Sequence, residues 1–400
     1  MRILLHDNSG HPFQVQLARE LARRGHVVRH LFNARFQTPR GSLTHLPGDP
    51  TTFEVAAIDP GKPMAKYDYF TRFRQERAYG RLLEREMEAF QPDVALLSNT
   101  PPDALLTPQS WCRANHRGFV FWVQDIYAEA IARLAAPRLG PLGAPVVWHY
   151  RRLEAGLLRR SDQVVAITDD FRPLLKSWRV DEQRVTTIEN WAPLEELPPH
   201  PRDNDFAREH DLNGKLVFMY SGTLGLKHNP GLLLGIAERY RDDPAVRVVI
   251  VSEGLGATWL AERKQAARLD NLLLLPFQPF ARMPDMLASA DVLMAILEPE
   301  AGVYSVPSKV LTYFCAGRPL LAAMPAENLA ARTIAAQGAG IVVAPDDGQG
   351  FAGAATRLHD DPEARTTLGC NARRYAEATF DIHRIADRFE AVITKACHVR

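Results

Sequence analysis

Two stretches decide how this chain is read: YSGTLGLKHNP, Tyr220 to Pro230, and VPSKVLTYFCAGRPLLA, Val306 to Ala322. Each joins an apolar, strand-like run to a helix through a loop rich in glycine, proline and lysine. Glycine lets backbone N–H groups approach phosphate oxygens closely, and a helix start adds free donors and partial positive charge. Lys227 and Lys309 add full charge. Together the stretches read as two halves of a diphosphate cradle; a tight turn with a solvated lysine accounts equally for the first stretch taken alone.

Around these loops, apolar runs alternate with helical stretches. Arg2 to Leu5 reads as a strand, Phe13, Leu17 and Leu21 recur at helical spacing before Gly25, and His26 to Phe32 reads as the next strand. The loop between, His6 to Pro12, lacks a dinucleotide glycine fingerprint, which argues against an α/β dehydrogenase. Further strands are expected at Val94 to Leu97, Gly118 to Val123 and Gln163 to Ile167. A second series runs through Leu216 to Tyr220, Val246 to Val251, Leu272 to Leu275, Asp291 to Ile296, Pro319 to Ala322 and Gly340 to Val343. That alternation implies parallel sheets with covering helices in two doubly wound α/β domains. The expected boundaries are 1–195, a proline- and charge-rich linker 196–213, 214–380, and a final amphipathic helix 381–400.

The bulk properties exclude several classes. With 48 basic and 47 acidic residues in 400, no net field recruits nucleic acid. Four separated cysteines fit neither a zinc site nor a disulfide framework and point to a reducing compartment, hence a cytoplasmic setting. No run of about 18 apolar residues reads as a membrane span. The first residues, MRILLHDNSG, read as a strand rather than a signal peptide.

The order of strand, Glu300-Ala301-Gly302, Pro307-Ser308-Lys309, helix, Gly317-Arg318-Pro319 and strand resembles the nucleotide-sugar region of GT-B glycosyltransferases. It is especially similar to the family-4 retaining enzymes of bacterial polysaccharide biosynthesis. Leu17 to Val28, Phe119 to Glu129, Ser161 to Leu175, Ile188 to Pro193, Val248 to Gly256 and Leu275 to Ala295 extend the resemblance over nearly the whole chain. It implies two Rossmann-like domains facing each other across a cleft, with the last helix crossing back to the N-domain. It also implies a nucleotide-sugar donor, UDP-sugar by preference, held by Gly222, Thr223, Glu253, Gly254, Phe277, Gln278, Ser308, Lys309 and Thr312. Lys227, Asp125 and Glu300 take catalytic roles, His11 and Gly10 meet a lipid-linked or glycan acceptor, and neither metal nor cofactor is expected. Two departures stand out: Thr312 occupies a position where many members carry a second glutamate, and Thr223 one where many carry arginine.

Rival readings attach to several features. Asp125 reads either as a proton acceptor at a strand end or as the cap of a helix over Ile126 to Leu134, and His11 either as an acceptor contact or as a surface histidine. Asp203-Asn204-Asp205 has metal-motif spacing, but no strand precedes it to aim the carboxylates, so a solvated linker is the reading preferred. The basic, aromatic stretches Lys62 to Glu86 and Val146 to Arg160 suit an anionic membrane at the inner face of the cell. Interspersed Asp68, Glu76 and Glu84 favour an ordinary helix with one packed and one solvated face. A nucleotide-sugar 2-epimerase, or a non-catalytic relative that only binds nucleotide sugar, would share the same cradle.

Overall fold

The computed structural model describes residues 1–400 apart from 37–39, 66–67, 136–139, 226–227, 305 and 399–400. Lys227, Lys66 and Tyr67, singled out from the sequence, lie outside the described residues. The chain forms two units, Met1–Asn190 with Ile382–Arg400, and Trp191–Asp381.

In the first unit, β1 (Arg2–Asp7), β2 (Val27–Asn33), β3 (Phe53–Ile58), β4 (Val94–Ser98), β5 (Gly118–Val123), β6 (Gln163–Ala166) and β7 (Val185–Thr187) form one parallel sheet in the order β3-β2-β1-β4-β5-β6-β7. Register pairs Leu5 with His30 and with Leu96. Every residue of β4, β5 and β6 is buried, as continuous apolar runs in a sheet covered on both faces demand.

The final helix, Ile382–His398, joins this first unit. Its Ile382, Ile385, Phe389, Val392 and Ile393 are buried. The Phe389 ring centroid lies 4.6 Å from that of Trp122 on β5. Its polar edge is held by His26 to Glu390 at 2.8 Å and His383 to Glu20 at 2.8 Å.

In the second unit, β8 (Leu216–Ser221), β9 (Val246–Val251), β10 (Leu272–Leu275), β11 (Val292–Ile296), β12 (Leu320–Ala323) and β13 (Gly340–Val343) form another parallel sheet, ordered β10-β9-β8-β11-β12-β13. Strand order reverses between β8 and β11, the switch point at whose carboxyl side open α/β sheets bind ligands. Residues 196–213, expected as linker, lie in this unit and carry the helix Asp205–Glu209 with Phe206 fully buried.

Asn229-Pro230 reads in the sequence as a helix cap followed by proline at the first helical position, but Asn229 takes a left-handed conformation with φ 48°, and Pro230 stands at the cap of the helix Gly231–Arg239. A proline at the cap lets the helix start one residue later than the Asn-Pro pair suggests. Asp203-Asn204-Asp205 is a cap and ion-pair cluster rather than a bare solvated linker. Asn204 accepts from the Ala207 N–H at 3.0 Å, and Arg208 engages Asp203 and Asp205 at 2.5 and 2.7 Å.

Candidate active site

In the second unit the helices that follow β8, β9 and β11 begin at Gly231, Leu255 and Ser308, and none of their cap residues, Pro230, Gly254 and Pro307, supplies a side-chain cap. Elsewhere in this unit Asn204, Asn328, Asp347 and Asp361 do cap their helices. Uncapped starts leave backbone N–H donors for an anion. Part of each first turn is already satisfied, Leu232 and Leu233 donating to the Asn229 and Pro230 carbonyls, Gly256 to Leu224 and Val310 to Pro307, so the donors left for an anion are the first N–H groups of each helix, at the carboxyl ends of β8, β9 and β11.

Lys309, second residue of the helix Ser308–Ala316, crosses this opening. Its Nζ lies 3.7 Å from the Tyr220 ring centroid. Gly222, with φ 128°, passes directly beneath: a Cβ there would lie 2.9 Å from Lys309 Nζ and 3.0 Å from Cε. The glycine is required both by its backbone angle and by the space the lysine fills. Burial pushes the Lys309 ammonium down to about 7. The helix is pinned to β8 by the Tyr313 hydroxyl, which accepts from the Ser221 N–H at 2.8 Å and donates to the Ser221 carbonyl at 3.0 Å. Tyr220 in turn donates to the Thr223 carbonyl at 2.9 Å, fixing the turn after β8.

The other expected donor residues lie on neighbouring strand ends. Glu253 is exposed after β9, its carbonyl accepting from Leu224 N–H at 3.4 Å, and Gly254 adopts φ 112°. Phe277 and Gln278 are half-buried after β10, where Gln278 accepts from Arg282 at 3.4 Å. Ser308 is exposed at the helix start and Thr312 half-buried one turn along. Glu300 is exposed in a short 3-10 turn, Pro299–Ala301.

Sequence reasoning missed a pair beside it. His228 Nδ1 accepts from the Gly225 N–H at 3.0 Å, which places the ring proton on Nε2, 3.3 Å from the buried carboxylate of Glu298. This pair ties the loop after β8 to the loop after β11. Only the proximity of Glu298 to Glu300 hinted at it.

The first unit holds a second polar cluster at the end of β1. Asp7 is fully buried and accepts from Ser9 N–H at 3.0 Å, from His11 N–H, and from His11 Nδ1 at 3.2 Å. Burial opposes its charge, yet His11 and the two backbone donors hold the carboxyl below the usual carboxylate range. Burial likewise opposes charge on His11, but Asp7 and the field of Asp125 carry the imidazole above its ordinary value. Gly10 makes the turn at φ 76°, and an added Cβ would meet Leu43 Cδ1 at 2.6 Å.

Asp125 does not cap the following helix. The cap position of Tyr127–Ala130 is Ile126, without a side-chain bond, and the free N–H groups of Tyr127 and Ala128 donate instead to Glu154 at 3.0 and 2.7 Å. The capping alternative for Asp125 is therefore overturned: a carboxylate from the helix Gly143–Arg160 does that work, and Asp125 is exposed beyond β5 with its charge felt at His11. Among the described residues no group of three or more His, Cys, Asp or Glu could hold a metal ion, and no helix is long and apolar enough to cross a membrane.

The family and the fold have counterparts among known proteins. Residues 13–196 match the family model described as Glycosyltransferase Family 4, and residues 215–361 the one described as Glycosyl transferases group 1. Probable glycosyltransferase WbjE of Pseudomonas aeruginosa is 27% identical over 292 residues, covering 70% of this chain and 72% of that protein. The crystal structure of Anabaena HepE in complex with UDP and glucose has a TM-score of 0.71 at 16% identity, over 98% of this chain and 99% of that one. That of WaaG, a glycosyltransferase involved in lipopolysaccharide biosynthesis, has a TM-score of 0.67 at 17% identity, over 98% of this chain and 100% of that one. With two parallel Rossmann-like sheets and a family model on each, the chain belongs to the glycosyltransferases of the GT-B fold, a Family 4 domain followed by a group 1 domain.

Proposed function

We propose that the chain transfers a hexose or amino-hexose, with retention, from a UDP-sugar to a hydroxyl of a lipid-linked or polysaccharide acceptor. The observation that carries this reading is Lys309 lying over Gly222 and Tyr220 beside the uncapped helix start at Ser308. A leaving diphosphate needs its growing charge met at that place, and an ammonium with backbone N–H groups meets it without a metal. UDP is favoured as the leaving group because HepE, similar in fold, is known in complex with UDP. A glycan acceptor is favoured because WaaG takes part in lipopolysaccharide biosynthesis.

In this reading the second unit holds the donor through Gly222, Thr223, Glu253, Gly254, Phe277, Gln278, Ser308, Lys309 and Thr312, with Glu300 at the sugar and Lys227 at the diphosphate. Gly10, His11 and Asp125 of the first unit meet the acceptor. The leaving phosphate helps deprotonate the incoming hydroxyl on the same face of the sugar, so no glycosidase-type carboxylate pair is needed.

Calorimetric titration with UDP, GDP and ADP and their hexose conjugates, with EDTA and then with Mg²⁺, tests the donor half. Metal-independent micromolar binding of one nucleotide is expected; no binding by any of them would remove the reading. Product analysis tests the reaction, since a product that keeps its diphosphate linkage would mark an epimerase.

A further inference from the structure

The short turn that carries Glu300 is strung between two buried polar anchors from other parts of the second unit. Its far end is Gly302, at φ 50°, whose carbonyl accepts from the Asn328 amide at 2.6 Å. Asn328 is fully buried and also caps the helix Leu329–Ala336. The near end is Glu298, which follows directly on Leu297, whose N–H donates to the Ala323 carbonyl at 2.9 Å. The Glu298 side chain is 10% exposed and lies 3.3 Å from His228 Nε2.

His228 is set by its own loop. The His228 N–H donates to the Gly225 carbonyl at 3.0 Å, and the Gly225 N–H donates back to the His228 ring at 3.0 Å. With Nδ1 used as an acceptor, Nε2 carries the proton on the side of Glu298. Backbone bonds fasten the earlier part of that loop towards β9, from the Gly222 N–H to the Val251 carbonyl at 3.0 Å and from the Gly256 N–H to the Leu224 carbonyl at 2.9 Å. The His228–Glu298 contact adds a tie towards β11, across the switch point. Burial, Tyr313 and the charge of Glu298 together push up the Tyr220 hydroxyl, on the ring that faces Lys309.

A carboxylate this near a diphosphate cradle opposes anion binding, so its presence calls for an offsetting role. Holding a spacing supplies one. The contact is largely shielded from water, and a shielded polar contact constrains its partners more firmly than an exposed one.

We propose that His228 is a positioning residue for the transfer reaction: through Glu298 it holds the Glu300 turn at the distance from the loop after β8 that a sugar diphosphate requires. The inference deepens the donor reading and rests on it. In this role His228 touches neither sugar nor phosphate; Glu300 meets the sugar, and Glu298 passes the constraint along the chain.

The test is steady-state turnover of UDP-glucose and UDP-N-acetylglucosamine, followed as UDP release with and without a glycan acceptor, beside calorimetric titration with UDP alone. His228→Ala and Glu298→Ala should each lower kcat about a hundredfold, the scale of a misplacement of about 1 Å near reacting atoms. The Kd for UDP should stay within about threefold, because Gly222 and the helix bearing Lys309 keep their own bonds to Val251 and Ser221. The double variant should be no slower than either single one, since both remove the same contact. His228→Gln, which keeps an N–H donor at similar reach, should recover at least about tenfold over His228→Ala, the scale of a hydrogen bond to a charged group. A loss confined to Glu298→Ala, with His228→Ala at full rate, overturns the proposal and makes Glu298 act on the ligand itself. Multiplied losses in the double variant, no gain from His228→Gln, or equal losses of kcat and UDP affinity with a fallen melting temperature overturn it as well. If the unaltered chain binds no UDP, the donor reading falls and this role falls with it; UDP binding with turnover indifferent to His228 removes this role alone.

Discussion

The ammonium of Lys309 rests 3.7 Å from the centre of the Tyr220 ring, with Gly222 close beneath it. A cation is thus held over an aromatic face and beside unbonded backbone donors before any ligand arrives. Replacing Lys309 by methionine should weaken UDP binding by about thirtyfold or more, the scale of a lost charge-assisted hydrogen bond. The melting temperature should be unchanged or higher, because a buried charge is removed. A lower melting temperature with intact binding would make Lys309 a structural residue.

The same lysine sets a pH signature. Its folded value of about 7 lies below the ordinary lysine value of 10.5, so between those limits the unfolded chain holds the extra proton. Its contribution to stability therefore rises with pH across that window, whereas anion binding by the charged form falls. UDP binding above pH 7 should be accompanied by proton uptake, visible as a calorimetric enthalpy that depends on buffer ionisation. That dependence should vanish in Lys309→Met.

Gly222→Ala combines a strained backbone angle with a Cβ forced onto Lys309. A loss of about 1–3 kcal/mol in stability is expected, together with at least about tenfold weaker UDP binding as Lys309 is displaced. Chemical denaturation and calorimetry on the same sample would measure both. Full retention of binding would mean that the ammonium position over Tyr220 is irrelevant to the donor.

For the Asp7–His11 pair the expected effect has a defined sign. The folded imidazole titrates above its unfolded value of 6.5, so its stabilisation is fully present below pH 6.5 and is lost as pH rises through the folded value. Asp7→Asn should move the His11 titration, followed by NMR, to lower pH. It should also narrow the difference between melting temperatures at pH 6 and pH 8. An unmoved titration would mean that Asp7 does not hold the proton.

Glu154→Ala should free the N–H groups of Tyr127 and Ala128 and cost about 1–3 kcal/mol, the range for a lost cap and unpaired buried donors. Because Asp125 leads directly into that helix, turnover with acceptor should fall while UDP affinity stays within about twofold. Equal losses in both would point to general unfolding.

Periodicity and turn chemistry made most of the fold readable. Gly118–Val123, Val246–Val251, Leu272–Leu275 and Gly340–Val343 coincide with strands expected from their apolar runs. Phe53–Ile58 and Val185–Thr187 escaped notice for different reasons. The first alternates only loosely, with exposed Glu54 and Ala57 on an edge strand, and the second is three residues long. At the candidate site, Gly222 and Lys309 stand out in the sequence because glycine and lysine carry plain signals in a strand-loop-helix context, and the structure brings the two together. Glu154, Tyr313 and the His228–Glu298 pair do not, because each acts across the fold on a partner far along the chain. No local pattern announces such a partner.

The placement of Ile382–His398 bears on the order of synthesis. The helix that covers Trp122 and packs on Pro12–Arg23 is separated in sequence from the rest of its unit by the entire second unit. A growing chain can complete Trp191–Asp381 while the first sheet still lacks its cover, so the nascent first unit must wait with an apolar face unsealed. Its closure has to follow synthesis of the second unit, and in that waiting interval chaperone capture or self-association competes with maturation.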